Sequence, residues 1–146
     1  MQVNLQLVTQ AQNIPTATQF DHWVKAALLD SKANAEVTIR VVDEQEMSEL
    51  NEKYRHQLGP TNVLAFPFEA PPGVTTTVLG DIVICAAVAN EEAAAQKKML
   101  NEHWAHLIIH GVLHLLGYNH NTSADAKTME GLEIEILAKL GFSNPY

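Results

Sequence analysis

Cysteine is almost missing from this chain. Cys85 is the only one in 146 residues, which excludes an internal disulfide framework and fits a reducing cytoplasm. Its expected role is that of a small buried hydrophobe. Long apolar runs are missing too. The longest, "LIIHGVLHLLG", is too short and too rich in histidine to span a bilayer, so no membrane association is expected. The opening "MQVNLQLVTQAQ" has neither a basic stretch nor a continuous apolar core, so no secretory signal is expected. Positive charge is scarce: 9 Lys and Arg stand against 17 Asp and Glu, a formal net charge of −8. That argues against nucleic-acid binding through a broad basic surface. A small basic cleft, or a nucleic acid presented by a larger partner, remains compatible with it.

What is present is an ordinary globular balance, 47% hydrophobic and 18% charged, with no repeat or low-complexity segment. The length suits one domain over residues 1–146, which buries roughly two-thirds of its unfolded surface and needs no metal merely to fold. "VNLQLV" and "EVTIRVV" alternate as strands do, and "VLAFPF" and "VLGDIVIC" read as two more. Pro67 cannot donate to a ladder, so its strand should lie at an edge or end there. Five helices are expected. "TATQFDHWVKAALLD" places Phe20, Trp23, Val24, Ala27 and Leu28 on one stripe. "EQEMSELNEKY" has Asp43 as a candidate N-cap, with Glu46 at the capping-box position. "AAVANEEAAAQKKM", "NEHWAHLIIHGVLHLLG" and "SADAKTMEGLEIEILAKLG" follow, the last with Thr122 and Asp125 at its start and Gly141 to close it. Strands come mainly first and helices later. The expected class is therefore α+β, a small mixed four-stranded sheet packed with about five helices, with the histidine-rich helix in the C-terminal half.

That helix carries the chemistry. "HGVLHLLGYNH" puts three histidines into eleven residues. His110 and His114, four apart, share one helix face with Cβ atoms about 6 Å apart. Gly117 can end the helix in a left-handed turn and let His120 return to the same ion. The spacing H-x-x-x-H-x-x-G-x-x-H is that of metzincin ligands, and three neutral imidazoles on one divalent ion leave a position open for water. Gly111 stands where an H-E-x-x-H peptidase has its general base, which disfavours proteolysis and leaves space for backbone or substrate near the metal. Glu130 and Glu133 are expected on the solvated face of the last helix. His106 reads as a neighbouring polar or packing group, and His103, His22 and His56 as surface or loop residues. Asp81 is expected to cap backbone rather than to react.

At this point the sequence resembles a known family. "HGVLHLLGYNH" is similar to the H-G-x-L-H-L-x-G-Y-D-H motif of the YbeY endoribonucleases, the bacterial rRNA maturation factors. "LNEKYRHQLGPTNVLAFPFE" resembles that family's L-N-x-x-Y-R…T-[DN]-V-L-S-F-P segment, and "LGDIVIC" its L-G-D-I-x-I strand. The resemblance implies a metal-dependent, single-strand-specific endoribonuclease of 16S rRNA 3′-end maturation and ribosome quality control. It assigns His110, His114 and His120 to one Zn2+ or another divalent transition metal, and places Arg55 as a catalytic residue in the same cleft. The implied partners are single-stranded rRNA and a ribosomal particle or ribosomal protein. Two positions depart from the pattern. Asn119 replaces an Asp that could orient a ligand imidazole, and Ala65 replaces a Ser near the cleft.

Arg55 suits the chemistry because a guanidinium holds phosphate with two parallel hydrogen bonds. Arg40 could contribute to such a cleft, whereas the lysines look like solvated helix faces. With so few cations, free RNA should bind weakly and with strong salt dependence. Two other readings stay open: a different zinc metallohydrolase, peptidase or phosphoesterase, and a non-enzymatic ribosome-assembly factor whose metal is structural.

Overall fold

The computed structural model of the protein describes residues 1–29 and 34–146. Strands β1 (Gln2–Leu7), β2 (Glu36–Val42), β3 (Val63–Pro67) and β4 (Val78–Cys85) alternate with helices α1 (Ala17–Ala27) and α2 (Glu44–Arg55). Helices α3 (Ala86–Ala95), α4 (Leu100–Leu115) and α5 (Ser123–Lys139) follow without further strands. The fold is α+β, with one mixed sheet in the order β1-β2-β4-β3. β2 runs parallel to β1 and β4, while β3 returns antiparallel on β4. β3 is an edge strand and ends at Pro67, as a residue without an N–H requires.

The helix boundaries follow local chemistry. Thr16 and Gln19 form a complete capping box at the start of α1. Its expected stripe of Phe20, Trp23, Val24, Ala27 and Leu28 is buried, and the end once expected at Asp30 lies outside the described residues. Thr122 accepts the amide of Asp125 at 3.0 Å to open α5, and Gly141, at φ 87°, closes it. The expected capping box of α2 does not form. Asp43 instead accepts hydrogen bonds from Thr9 and the Gln10 amide, which tie the chain after β1 to the start of α2. Glu46 is taken by Arg40. α3 ends four residues before the expected Met99, and Lys97 just beyond it has a left-handed backbone, φ 55°.

α4 is the axle of the molecule. It packs against α1, α3, α5, β3 and β4, and its apolar residues are buried nearly all round. Trp104 and Phe20 meet edge to face at 6.0 Å, and the Trp104 indole donates to Asn90 at 2.8 Å. Each such fully buried side chain contributes about 1.5–3 kcal/mol of burial free energy. The sheet seats α4 closely because Gly111 faces Ile82: a Cβ there would lie 3.2 Å from that side chain. The space at Gly111, expected for backbone or substrate, is taken on this side by the Ile82 side chain of β4. Gly80 is required more strictly, since its φ is +145° and a Cβ would fall 2.2 Å from the Phe66 carbonyl oxygen. That close approach brings β3 against β4 beside the C-terminal end of α4.

The opposite face of the sheet carries Val42, Met47, Leu64, Val83 and Cys85 in a smaller cluster beneath α2. Cys85 is a buried free thiol there, raised above its usual pKa by burial. Asp81 and Arg40 open onto this same side. Arg40 is bound by Glu46 through both Nε (2.6 Å) and Nη2 (3.0 Å) and contributes nothing to the histidine site.

Candidate metal centre

The C-terminal half of α4, β3 and the end of α2 enclose a cleft of about 440 Å³. His106, His110, Gly111 and His114 line it from α4, Ala65 from β3, and Arg55 from α2. The turn after α4 brings in His120. Gly117 has φ 101°; its amide bonds to the His114 carbonyl and that of Tyr118 to the Leu113 carbonyl, both at 3.0 Å. This is the Schellman pattern, which reverses the chain only with a left-handed residue at that position. Asn119 then accepts the amide of Asn121 at 3.1 Å, shaping the loop that holds His120. An aspartate could accept the same bond, so the Asn at this position keeps the local turn. Its side chain is not the carboxylate expected to orient a ligand imidazole.

The geometry brings the three predicted histidines together. One ring nitrogen from each of His110, His114 and His120 lies within 4.8 Å of the others. The Nε2 atoms of His110 and His114 are 3.1 Å apart. Tetrahedral zinc with bonds of 2.0–2.1 Å separates its nitrogen ligands by about 3.3 Å, so this pair is within a few tenths of that span. Without an ion, one of these nitrogens can donate to the other; when both are unprotonated, a cation between them satisfies both lone pairs. Burial, then the charges of His110 and His120, push the His114 pKa down to about 4, against a backbone hydrogen bond to Tyr118 and the charge of Glu133. The ring is thus neutral at physiological pH, the form that ligates a metal. These donors fit a divalent transition metal.

Glu133 was expected on the solvated face of α5, and this is corrected: the residue is fully buried. Its Oε1 meets His106 Nε2 at 2.6 Å, the Tyr146 hydroxyl at 2.9 Å and His110 Nδ1 at 3.4 Å. The sequence did hold a signal. Met129, Glu133, Ile136 and Leu137 form one helical stripe, and they are the buried residues of α5. A glutamate on an apolar stripe needs buried partners, and the histidines supply them. His103 is likewise no surface residue. It is buried and meets Glu92 at 2.9 Å, while Glu92 also accepts from Asn62 at the start of β3. His22 and His56 are exposed, as expected.

Two of these groups make the protein sensitive to acid. Burial raises the Glu133 pKa, but hydrogen bonds and charge from His106 and His110 outweigh it and hold the carboxyl at about 2. Its folded value is below its unfolded value of 4.5, so its stabilisation is present above 4.5 and lost as pH falls toward 2. His114 is depressed from 6.5 to about 4, so the unfolded chain binds the extra proton between those values and stability again falls with pH. Urea midpoints of the metal-free protein should therefore decline from about pH 6.5 to 4 through His114, and go on declining from about pH 4.5 toward 2 through Glu133. A flat profile between pH 6.5 and 4 would contradict the His114 assignment, and a flat one between 4.5 and 2 the Glu133 assignment.

Arg55 is the last residue of α2 and is exposed. His56 follows in the left-handed conformation, φ 56°, and Asn51 ties the next loop back by donating to the Gly59 carbonyl at 2.9 Å. Among the described residues no carboxylate pairs with the Arg55 guanidinium. Among the described residues it is the only Lys or Arg lining the cleft, and no Asp or Glu lines it. The nearest acidic group to the histidines is Glu133, which lies behind the cleft wall and faces it only through His106, His110 and Tyr146.

A family model described as Endoribonuclease YbeY matches residues 4–141. Among solved structures, the solution structure of TM1509 from Thermotoga maritima is similar with a TM-score of 0.58 and 22% identity, over 94% of this chain and 91% of that one. At that identity the likeness concerns the fold. The family model spans nearly the whole chain and covers the histidine cluster, the Arg55 segment and β4. The chain belongs to the YbeY family of metal-dependent endoribonucleases, which act in rRNA maturation.

Proposed function

We propose that this protein cuts single-stranded RNA during 16S rRNA 3′-end maturation and ribosome quality control, with His110, His114 and His120 holding one zinc ion. Arg55 is the catalytic guanidinium in this reading. The observation that carries it is the cleft itself: three convergent imidazoles and an unpaired guanidinium share one cavity that, among the described residues, no carboxylate lines. A site of this kind attracts a phosphate and leaves a divalent ion free to meet it.

A bound zinc ion would supply Lewis acidity toward a phosphate oxygen or its attacking nucleophile. The residues of the chain do the rest. Arg55 binds the non-bridging phosphate oxygens with two parallel hydrogen bonds and offsets the charge that grows on them. The apolar flank from Val63, Leu64 and Leu107 restricts water on one side. A cavity of about 440 Å³ has the size of a small-ligand pocket, which suits an unpaired nucleotide better than a duplex. Peptide hydrolysis lacks its usual base, since Gly111 faces Ile82 and Glu133 is engaged by three donors.

The net charge of −8 makes autonomous capture of RNA weak, so the substrate is best delivered on a ribosomal particle or by a ribosomal protein in the cytoplasm. The test uses one RNA sequence as a single strand and as a duplex, with zinc-loaded and chelated protein. Internal cuts in the single strand alone, and only with metal, are expected. Equal cutting of the duplex would reject single-strand specificity. A zinc-loaded protein that cuts neither would favour a non-enzymatic assembly role.

A further inference from the structure

We propose that Glu133 is a positioning residue for the metal centre, accepting the Nδ1–H of His110 and so turning that ring's Nε2 toward His114. The inference rests on the metal-site reading above but not on RNA cleavage. An ionised carboxylate only accepts, so each group that meets Oε1 must donate. A neutral imidazole has one N–H. If His110 gives it to Glu133 at 3.4 Å, its Nε2 keeps a free lone pair, and this is the atom 3.1 Å from His114 Nε2.

The other two donors fix the carboxylate itself. His106 approaches at 2.6 Å from one turn earlier on α4, and the Tyr146 hydroxyl at 2.9 Å from the segment after α5. The Tyr146 and His106 rings also meet edge-on, with centroids 5.4 Å apart. His106 thus has a task without being a ligand: it holds the carboxylate that holds His110. Side-chain exposure of 1% at Glu133 leaves no solvent to compete for these bonds. Partners of this kind fix a ligand's tautomer and raise its basicity, and their loss commonly weakens metal binding about 10–100-fold.

The alternative is that Glu133 only ties α5 to α4. Glu133→Gln keeps the size and an acceptor oxygen but loses the charge, so it separates the two. Zinc affinity would be measured by competition with a chromophoric chelator, alongside thermal melting of the metal-free protein. We expect a folded variant whose zinc affinity falls about 10–100-fold. Imidazole 15N shifts of zinc-loaded wild type give a second readout that needs no variant: His110 should be protonated at Nδ1 and metal-bound at Nε2. An unchanged affinity in folded Glu133→Gln, or His110 bound through Nδ1, would overturn the proposal. If the variant does not fold, the 15N pattern decides alone. A wild type that binds no zinc would overturn the metal-site reading and this inference together, whereas failure to cut RNA would touch neither.

Discussion

His114→Ala should yield a folded protein that has lost both its bound metal and its RNA cleavage. The residue occupies the last turn of α4, where alanine is the best helix former, so the backbone has no reason to change. What is lost is the central donor of the cluster. The His114 ring lies 4.6 Å from that of His110 and 5.1 Å from that of His120, centroid to centroid, while the outer two are 5.7 Å apart. Without it, two imidazoles remain, one of them on an exposed loop. The fall in affinity should exceed the roughly 100-fold that loss of an outer partner can cause. Metal content of the purified protein and kcat/KM on a single-stranded RNA measure the two effects. A variant that loses its metal yet cleaves at the wild-type rate would show that the ion has no part in the reaction.

The sequence made this site legible because its spacing is set by local geometry. Residues four apart must share a helix face, and a glycine after the last turn must reverse the chain. His110, His114 and Gly117 needed nothing from the rest of the fold to be read. Pro67 alone likewise required β3 to lie at an edge or to end there, and it does both. Glu133 was missed for the opposite reason. It lies 19 residues after His114, on another helix, and only the packing of α5 on α4 reveals what it touches. Its place on the apolar stripe was visible, but it was assigned with Glu130 to the solvated face. His103 shows the same limit, since its partner Glu92 comes from α3. Asp43 is the N-cap residue of α2, as expected, but its carboxylate makes no capping bond: the long-range donors Thr9 and Gln10 prevailed over the local amide. Gly111 was read as room for backbone or substrate because the sequence does not say that the Ile82 side chain of β4 lies opposite.

Arg55→Ala should separate binding of the metal from cleavage. Arg55 sits on α2 and the imidazoles on or just after α4, and no hydrogen bond joins them among the described residues. Metal content should therefore match wild type, which excludes collapse of the centre as a cause. kcat/KM should fall by about 10²–10³, the usual effect of removing one preorganised donor aimed at transition-state charge. Most of that fall should appear in kcat if the guanidinium grips the phosphate harder as charge develops. It should appear in KM alone if Arg55 merely holds the RNA. Arg55→Lys refines the point. Lysine keeps the positive charge near the cleft and at the C-terminal end of α2, but cannot form two parallel bonds to one phosphate. If charge alone matters, the lysine variant should be close to wild type; if the fork geometry matters, it should stay near the alanine variant. The second outcome is expected, because among the described residues no carboxylate pairs with the guanidinium or lines its cleft, which leaves it open to a phosphate. Wild-type cleavage by Arg55→Ala would instead reduce this residue to a cation at a helix end, favourable to the α2 dipole by a few tenths to about 1 kcal/mol and irrelevant to the chemistry.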